Sequence, residues 1–315
     1  MSNQPLFAAS FADGYPFRYM MGVINAETAE VALAFSEGGI DIRLINRGNY
    51  AVHFFRIQGT HLRAYYYNIR DEHGQLVDLY PIHVDTAEMF KATKGIGKRD
   101  GIKLYWLQGD NRISIQPVKA AVKDSGGGVA LFVPILSREY NRYELPSFPR
   151  HTPNIRIQAK EFSDICSQAS NLKCAFVEII GHSAGMTFRG VGPDKTELFI
   201  KRYPFQRVVD PPPSSSSSSS SERAILSPDL DALLESLSTL ELGGSSPLRL
   251  NVVKSTEIAR YRIPISTIKA LTKMHNISPQ GTMLKLHFGE QLPLKIKSPI
   301  GAYGKYTLCL RDSAL

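Results

Sequence analysis

An α+β fold of two similar halves, each with two helices and two antiparallel sheets, is what this sequence predicts, and three observations predict it. Short strand-like runs follow one another across tight Gly or Asp turns, which implies antiparallel pairing and not strand-helix-strand crossovers. Four segments instead carry helical spacing of their apolar residues. The order of these elements then repeats along the chain.

In the first helical segment (16–34), Phe17, Met20, Met21, Ile24 and Val31 share a face. Strands are expected at 40–45, 50–55 and 62–68, where β-branched and aromatic residues cluster. The second helix sets Met89, Ala92 and Ile96 on one side and Lys91, Lys94 and Lys98 on the other. Strands at 101–107, 112–118 and 129–135 follow. The third helix has an unbroken apolar stripe of Phe162, Ile165, Cys166, Ala169 and Leu172, and leads into strands at 174–180, 186–189 and 196–203. A strand at 248–253 precedes the fourth helix, where Ile265, Ile268 and Leu271 face inward and Lys269 and Lys273 lie four apart. Strands at 282–288, 292–297 and 306–310 complete the series. Twice a helix leads into a strand, a Gly-containing turn and a second strand (AFSEGGIDIRLINRG, AFVEIIGHSAGMTFRGVG), and segment 84–115 parallels 263–296, with Thr93-Lys94 matching Thr272-Lys273. Two such parallels in one order indicate duplication.

The 315 residues hold about two domains, and 43% apolar content with 15 Phe and 14 Tyr excludes whole-chain disorder. Cys166, Cys174 and Cys309 lack CxxC spacing, which points to reduced thiols in a cytosolic or nuclear compartment and away from zinc. No apolar run approaches the roughly 18 residues of a membrane span, and the N-terminus has no basic n-region or apolar h-region, so no membrane partner is expected. The net charge of +8 favours a polyanionic partner. Within 205–248, where DPPPSSSSSSSS reads as a disordered linker and 222–242 as a short amphipathic helix, six acidic and two basic residues give −4, leaving +12 for the remainder. This block reads as an insertion, and prolines at 145–153 mark a connector between the halves.

SEGGIDIRLINRGNYAVHFF (36–55), VDTAEMFKATKG (84–95), AKEFSDICSQASNL (159–172) and LPLKIKSPIGAYGKYTLCLRD (292–312) carry a further likeness by their order and spacing. Through them the chain resembles the proliferating cell nuclear antigen (PCNA) family of DNA sliding clamps, as a divergent or viral member. The resemblance implies the DNA clamp fold: an N-terminal domain over 1–134, a connecting loop over 135–152 and a C-terminal domain over 153–315 bearing the insertion at 205–248. It implies a homotrimeric ring encircling double-stranded DNA, a processivity factor for DNA polymerase, placed on DNA by a clamp loader. Such a ring is a docking platform for replication and repair proteins that carry a clamp-binding peptide, has no catalytic residues and needs no cofactor or metal. The expected location is the nucleus or a cytoplasmic viral replication site.

Carried over residue by residue, the DNA-facing set is Arg18, Asn25, Lys91, Lys94, Lys98, Lys160, Lys269 and Lys273, which would meet phosphates without reading bases. The third helix departs from the family pattern, with Glu161, Asp164, Ser167 and Gln168 on its polar face. The partner-peptide pocket would comprise Ile45, Tyr50, Tyr143, Leu145, Pro146, Pro293, Leu308 and Leu310, under a connector more basic than is common in the family. Subunits would join through strands near 118–122 and 196–201. The same fold admits a subunit of a heteromeric checkpoint-type clamp or a monomeric viral processivity factor. GHSAG (181–185) fits the G-x-S-x-G of a serine hydrolase, but that elbow needs a helix after the Ser, and MTFRGVG reads as a strand. GIGKRDGIK (95–103) lacks the spacing of a phosphate loop.

Overall fold

The computed structural model describes residues 4–119, 129–140, 154–204 and 256–311. The first half runs β1 (Pro5–Phe11), α1 (Tyr15–Glu27), β2 (Glu30–Ser36), β3 (Gly39–Ile45), β4 (Ala51–Gln58), β5 (Ala64–Tyr67), β6 (Tyr80–Asp85), α2 (Thr86–Thr93), β7 (Gly101–Leu107), β8 (Arg112–Val118) and β9 (Leu131–Leu136). The second runs β10 (Asn154–Gln158), α3 (Ala159–Asn171), β11 (Phe176–His182), β12 (Gly185–Val191), β13 (Glu197–Pro204), β14 (Glu257–Pro264), α4 (Ile265–Leu271), α5 (Met274–Ile277), β15 (Met283–His287), β16 (Leu294–Ile300) and β17 (Gly304–Leu310). Apart from β5, this is one strand-helix-strand-strand-strand unit four times over, with α4 and α5 standing for the helix of the last.

The sheets repeat as well. In the first half β4-β3-β2-β6 and β9-β8-β7-β1 are the two four-strand orders, with β5 added beside β1; in the second half they are β13-β12-β11-β14 and β17-β16-β15-β10. All pairs are antiparallel. The matching turns share one backbone device. Gly39 and Gly185 open β3 and β12 with φ of +135° and +158°, and a Cβ there would sit 2.0 Å from the Ile57 carbonyl oxygen and 2.1 Å from that of Tyr203. Only glycine fits such an approach.

The halves join where β17 lies against β4, from Gly304 opposite Ile57 to Leu310 opposite Ala51. Across this seam the Phe55 and Tyr306 rings stack at 4.5 Å, and His53 Nδ1 lies 3.0 Å from the Tyr306 hydroxyl, all three fully buried. The Tyr50 hydroxyl adds hydrogen bonds to Thr267 (2.7 Å) and Ser266 (3.3 Å) of α4. Burying aromatic rings at a seam contributes on the order of 2 kcal/mol each.

The helices follow from their sequences with corrections at their ends. α1 starts at Tyr15 with Pro16 in its first turn, where a missing N–H costs nothing, and buries Phe17, Met20, Met21 and Ile24. It stops at Glu27, because Thr28 is extended, and Val31 belongs to β2. α2 is capped by Asp85, which accepts from the Glu88 amide at 2.9 Å. α3 buries Phe162, Ile165, Cys166 and Ala169, but Leu172 lies past its last residue and is 43% exposed. The fourth helix breaks at Thr272-Lys273, so Met274 and Ile277 are buried from a separate short turn. All three cysteines are free and buried. The described elements form one compact unit, residues 1–205 with 256–315; the insertion, the strand expected at 248–253 and the connector residues 141–153 lie outside the described residues.

Candidate functional site

The helices form a single layer: α2 packs on α1, α1 on α4 and α5, and α3 on α4 and α5. On it Lys91, Lys94, Lys98, Lys160, Lys269 and Lys273 are solvent-exposed. Lys94, Lys269 and Lys273 make no ion pair among the described residues, and Lys91 has only a loose pair with Glu88 at 3.8 Å. Exposed pairs of this kind are worth little, so these ammonium groups remain available to an anion. Arg18 and Asn25 are placed differently. Arg18 is half-buried, donates to the Ile96 carbonyl at 2.8 Å and lies over the Tyr19 ring at 5.5 Å, and the Asn25 Oδ1 accepts from the Thr86 hydroxyl at 3.1 Å. Both tie α1 to the α2 region before they meet any ligand.

The acidic face of α3 is largely neutralised within the chain: Asp164 holds Lys160 at 3.0 Å, and Glu161 holds Lys201 of β13 at 2.9 Å. A groove of about 860 Å³ brings Lys98 and Lys160 together, walled by Asp13, Tyr15, Gln158 and His275. Tyr15 and His275 escaped sequence reasoning because neither stands in a charged run; the Lys98 ammonium lies 6.0 Å over the Tyr15 ring.

The structure divides the expected peptide pocket. Tyr143, Leu145 and Pro146 lie outside the described residues. Ile45 pairs with Val52, and Val52 with Cys309, while Leu308 pairs with His53 and Leu310 with Ala51. Successive strand residues alternate faces, so Leu308 and Leu310 point into the helix-side core, fully buried, whereas Ile45 faces the opposite side, half-buried. Leu308 and Leu310 therefore cannot line a pocket with Ile45; Val52 and Cys309 take their place in its row. Tyr50 is held against α4 as described, and Pro293 is half-buried just before β16. Ile45 also borders a cavity of about 140 Å³ with Glu30, Val31, Arg43, His83, Glu139 and Tyr140.

Among the described residues β5, β10, β13 and β14 are edge strands, and β9 is paired along only part of one side. β13 has a partner on one side only, β12, and exposes Leu198 (38%) and Ile200 (45%). β9 pairs with β8 over 131–134 and meets β6 only at Ile135 and Leu136, leaving Leu131 and Phe132 exposed at 42% and 49%. Of the strand expected near 118–122, Val118 ends β8 and 120–122 lie outside the described residues. On the outer face of the β13-β12-β11-β14 sheet, the buried Glu178 carboxylate accepts from Arg189 and from Arg262 (3.0 Å), with Arg260 at 3.6 Å. In GHSAG, Ser183 and Ala184 are the two-residue turn between β11 and β12, and the Ser183 Oγ accepts from the Thr256 amide. No helix follows, so the serine lacks the setting of a nucleophile elbow.

No family model and no curated protein matches the sequence. Solved structures do match in fold. PCNA from Entamoeba histolytica superposes with a TM-score of 0.67 at 12% identity, over 98% of this chain and 99% of that one. A chain of the PCNA2–PCNA3 complex from Sulfolobus tokodaii gives 0.65 at 15%, over 98% and 100%. PCNA from Thermococcus kodakaraensis gives 0.65 at 14%, over 97% and 99%. The chain has the fold of these clamps.

Proposed function

We propose that the protein is a DNA sliding clamp, a ring of three copies that encircles duplex DNA, holds a polymerase to its template and docks other replication and repair proteins. One observation carries the reading beyond the fold. Within the chain, the last strand of the second half, β17, pairs with the fourth strand of the first half, β4. In the repeat, β9 is the counterpart of β17 and β13 the counterpart of β4; β13 is an edge strand, β9 is left unpaired over 131–134 on its β6 side, and both expose apolar residues. The seam already present inside the chain can thus be remade between chains, head to tail, and a heterologous contact of that kind gives a ring when its rotation closes.

Domains 1–134 and 153–315 of three chains would then supply six such segments, with the helix layer lining the hole. Lys91, Lys94, Lys98, Lys160, Lys269 and Lys273 face phosphates there through contacts that carry no base information, so the ring is retained and still slides. The clamp is a scaffold without catalytic groups, placed by a loader. The likeness to a chain of the PCNA2–PCNA3 complex supports a heteromeric ring as the second reading.

Retention on plasmid DNA tests the proposal. A loaded ring stays on a closed circle in a high-salt gel-filtration column and leaves when a single cut gives it an end to slide from. Light scattering on the free protein is expected to give a trimer. A protein that survives linearisation as well as it survives on the circle binds by contact and does not encircle, and a lone monomer at all concentrations points to the heteromeric reading.

A further inference from the structure

At one end of the helix layer α1 and α3 begin and α2 and α5 have just ended, and the groove of about 860 Å³ described above lies among them. The Arg18 guanidinium donates to the Ile96 carbonyl and the Gly14 amide to the Asp100 carbonyl, both at 2.8 Å, so the loop after α2 is pinned at both ends to the start of α1. That loop presents Lys98 and Arg99, both exposed and without an ion pair among the described residues. Lys160 stands on the α3 side of the groove, and its pair with Asp164 is exposed, so it yields to another anion at little cost. The one carboxylate in the lining is Asp13, whose Oδ1 accepts from the Tyr15 amide at 2.9 Å.

Beside these cations stands an aromatic pair. The Tyr15 and Tyr19 rings meet edge to face at 4.7 Å and the Tyr15 hydroxyl donates to that of Tyr19 at 3.1 Å, which fixes a half-buried Tyr15 ring in the groove wall. The Lys98 ammonium is 6.0 Å from the centre of that ring, beyond the roughly 3.5–4 Å of atomic contact, so a flat group can reach the ring. The side-chain amides of Gln158, Asn276 and Gln280 also line the groove, and none has a hydrogen-bond partner among the described residues. Each amide offers both a donor and an acceptor, which is what the edge of an unstacked base requires. Sliding on duplex phosphates uses neither the ring nor the amides.

We infer that this groove takes an unpaired base of a single-stranded nucleic acid, stacked on the Tyr15 ring, with the neighbouring phosphates on Lys98 and Lys160. The inference rests on the helix layer meeting nucleic acid, as proposed above, and adds to it a site for an exposed base, such as a strand end or a gap presents. Stacking on an aromatic ring tolerates any sequence, so the groove senses the absence of pairing without reading which base is there.

Fluorescence anisotropy with the full chain tests it on two labelled strands of about ten nucleotides, one of thymidines and one of abasic residues with the same phosphates. The thymidine strand is expected to bind about ten-fold tighter, and the ratio is expected to hold as added salt weakens both. Tyr15→Leu, which keeps apolar bulk at the start of α1 without an aromatic face, is expected to bring the ratio below about two-fold, and Tyr15→Phe to keep it. A duplex of equal phosphate number is expected to bind Tyr15→Leu as it binds the parent. Equal affinities for the two strands, no binding of either, a ratio unchanged in Tyr15→Leu, or a loss in that variant that the duplex shares overturns the inference. So does thymidine 5′-monophosphate that displaces the strand as readily as unlabelled strand does, which would assign the groove to a free nucleotide. Plasmid retention by the unmodified protein reads the clamp proposal separately: retention without base preference overturns this inference alone, and base preference without retention overturns the clamp alone.

Discussion

His53 shows how far one side chain at the seam sets the response to acid. Burial pushes its pKa down to about 3, while the unfolded imidazole titrates near 6.5. Between these values the unfolded chain binds a proton that the native state refuses, so stability is full above about pH 6.5 and is lost as pH falls, by up to about 1.4 kcal/mol per pH unit. Glu27, whose carboxyl is raised by burial, acts in the reverse sense, losing stability as pH rises through its folded value. Comparison with His53→Gln isolates the imidazole: melting temperatures between about pH 7 and pH 5 should fall less steeply in the variant, and parallel curves would refute the assignment. At Glu178 burial pushes the carboxyl up, but hydrogen bonds from Arg189 and Arg262 outweigh it and leave the pKa lowered. Glu178→Ala strands three guanidiniums around an empty place and should cost about 3 kcal/mol in urea unfolding; a loss below about 1 kcal/mol would mean that solvent already screens them. The residue scale is also where sequence reading failed most clearly. It grouped Leu308 and Leu310 with Ile45 by their order along the chain, but the face a strand residue occupies depends on register with its neighbours, and a shift of one exchanges the faces.

At the scale of elements, the repeated helix, strand, turn and strand were legible because α1 and α3 carry several apolar residues at helical spacing and their hairpins carry the glycines that the turns demand. The strands that precede each helix were not. β6 (YPIHVD), β10 (NIRIQ) and β14 (EIARYRIP) pass into their helices with no residue between, and only Ala12, Asp13 and Gly14 separate β1 (PLFAASF) from α1, so period 2 gives way to period 3.6 with little or no break. Val31 satisfied both periods, and tertiary pairing with β6 decided for the strand. The open edges yield a prediction at this scale. Ile200→Asp on β13, or Phe132→Asp on β9, places a charge on an edge strand without entering the core, the device by which natural sheets avoid edge pairing. Each variant should keep its circular dichroism spectrum and fail to give the proposed trimer in light scattering. A trimer that persists in both would mean that the chains join elsewhere.

For the whole molecule, the gap left by deleting 208–246 is one that the remaining residues can span. Pro204 and Glu257 stand at the same end of their sheet, with Pro204 opposite Gly185, Gly185 opposite His182 and His182 opposite Glu257. Three inter-strand steps span about 14 Å, and the roughly twelve residues left by the deletion reach about 40 Å. The shortened chain should melt within a few degrees of the parent, and a collapse of the transition would show that the segment supports the core. The seam between β4 and β17 also imposes an order in time. Ile57 waits for Gly304, and at a synthesis rate of about 5–20 residues per second that wait is tens of seconds. Throughout it the β4 edge of a nascent chain is open to the β17 of any finished neighbour. Crowded polysomes should therefore favour exchanged dimers, and slowing elongation late in the message should raise their share.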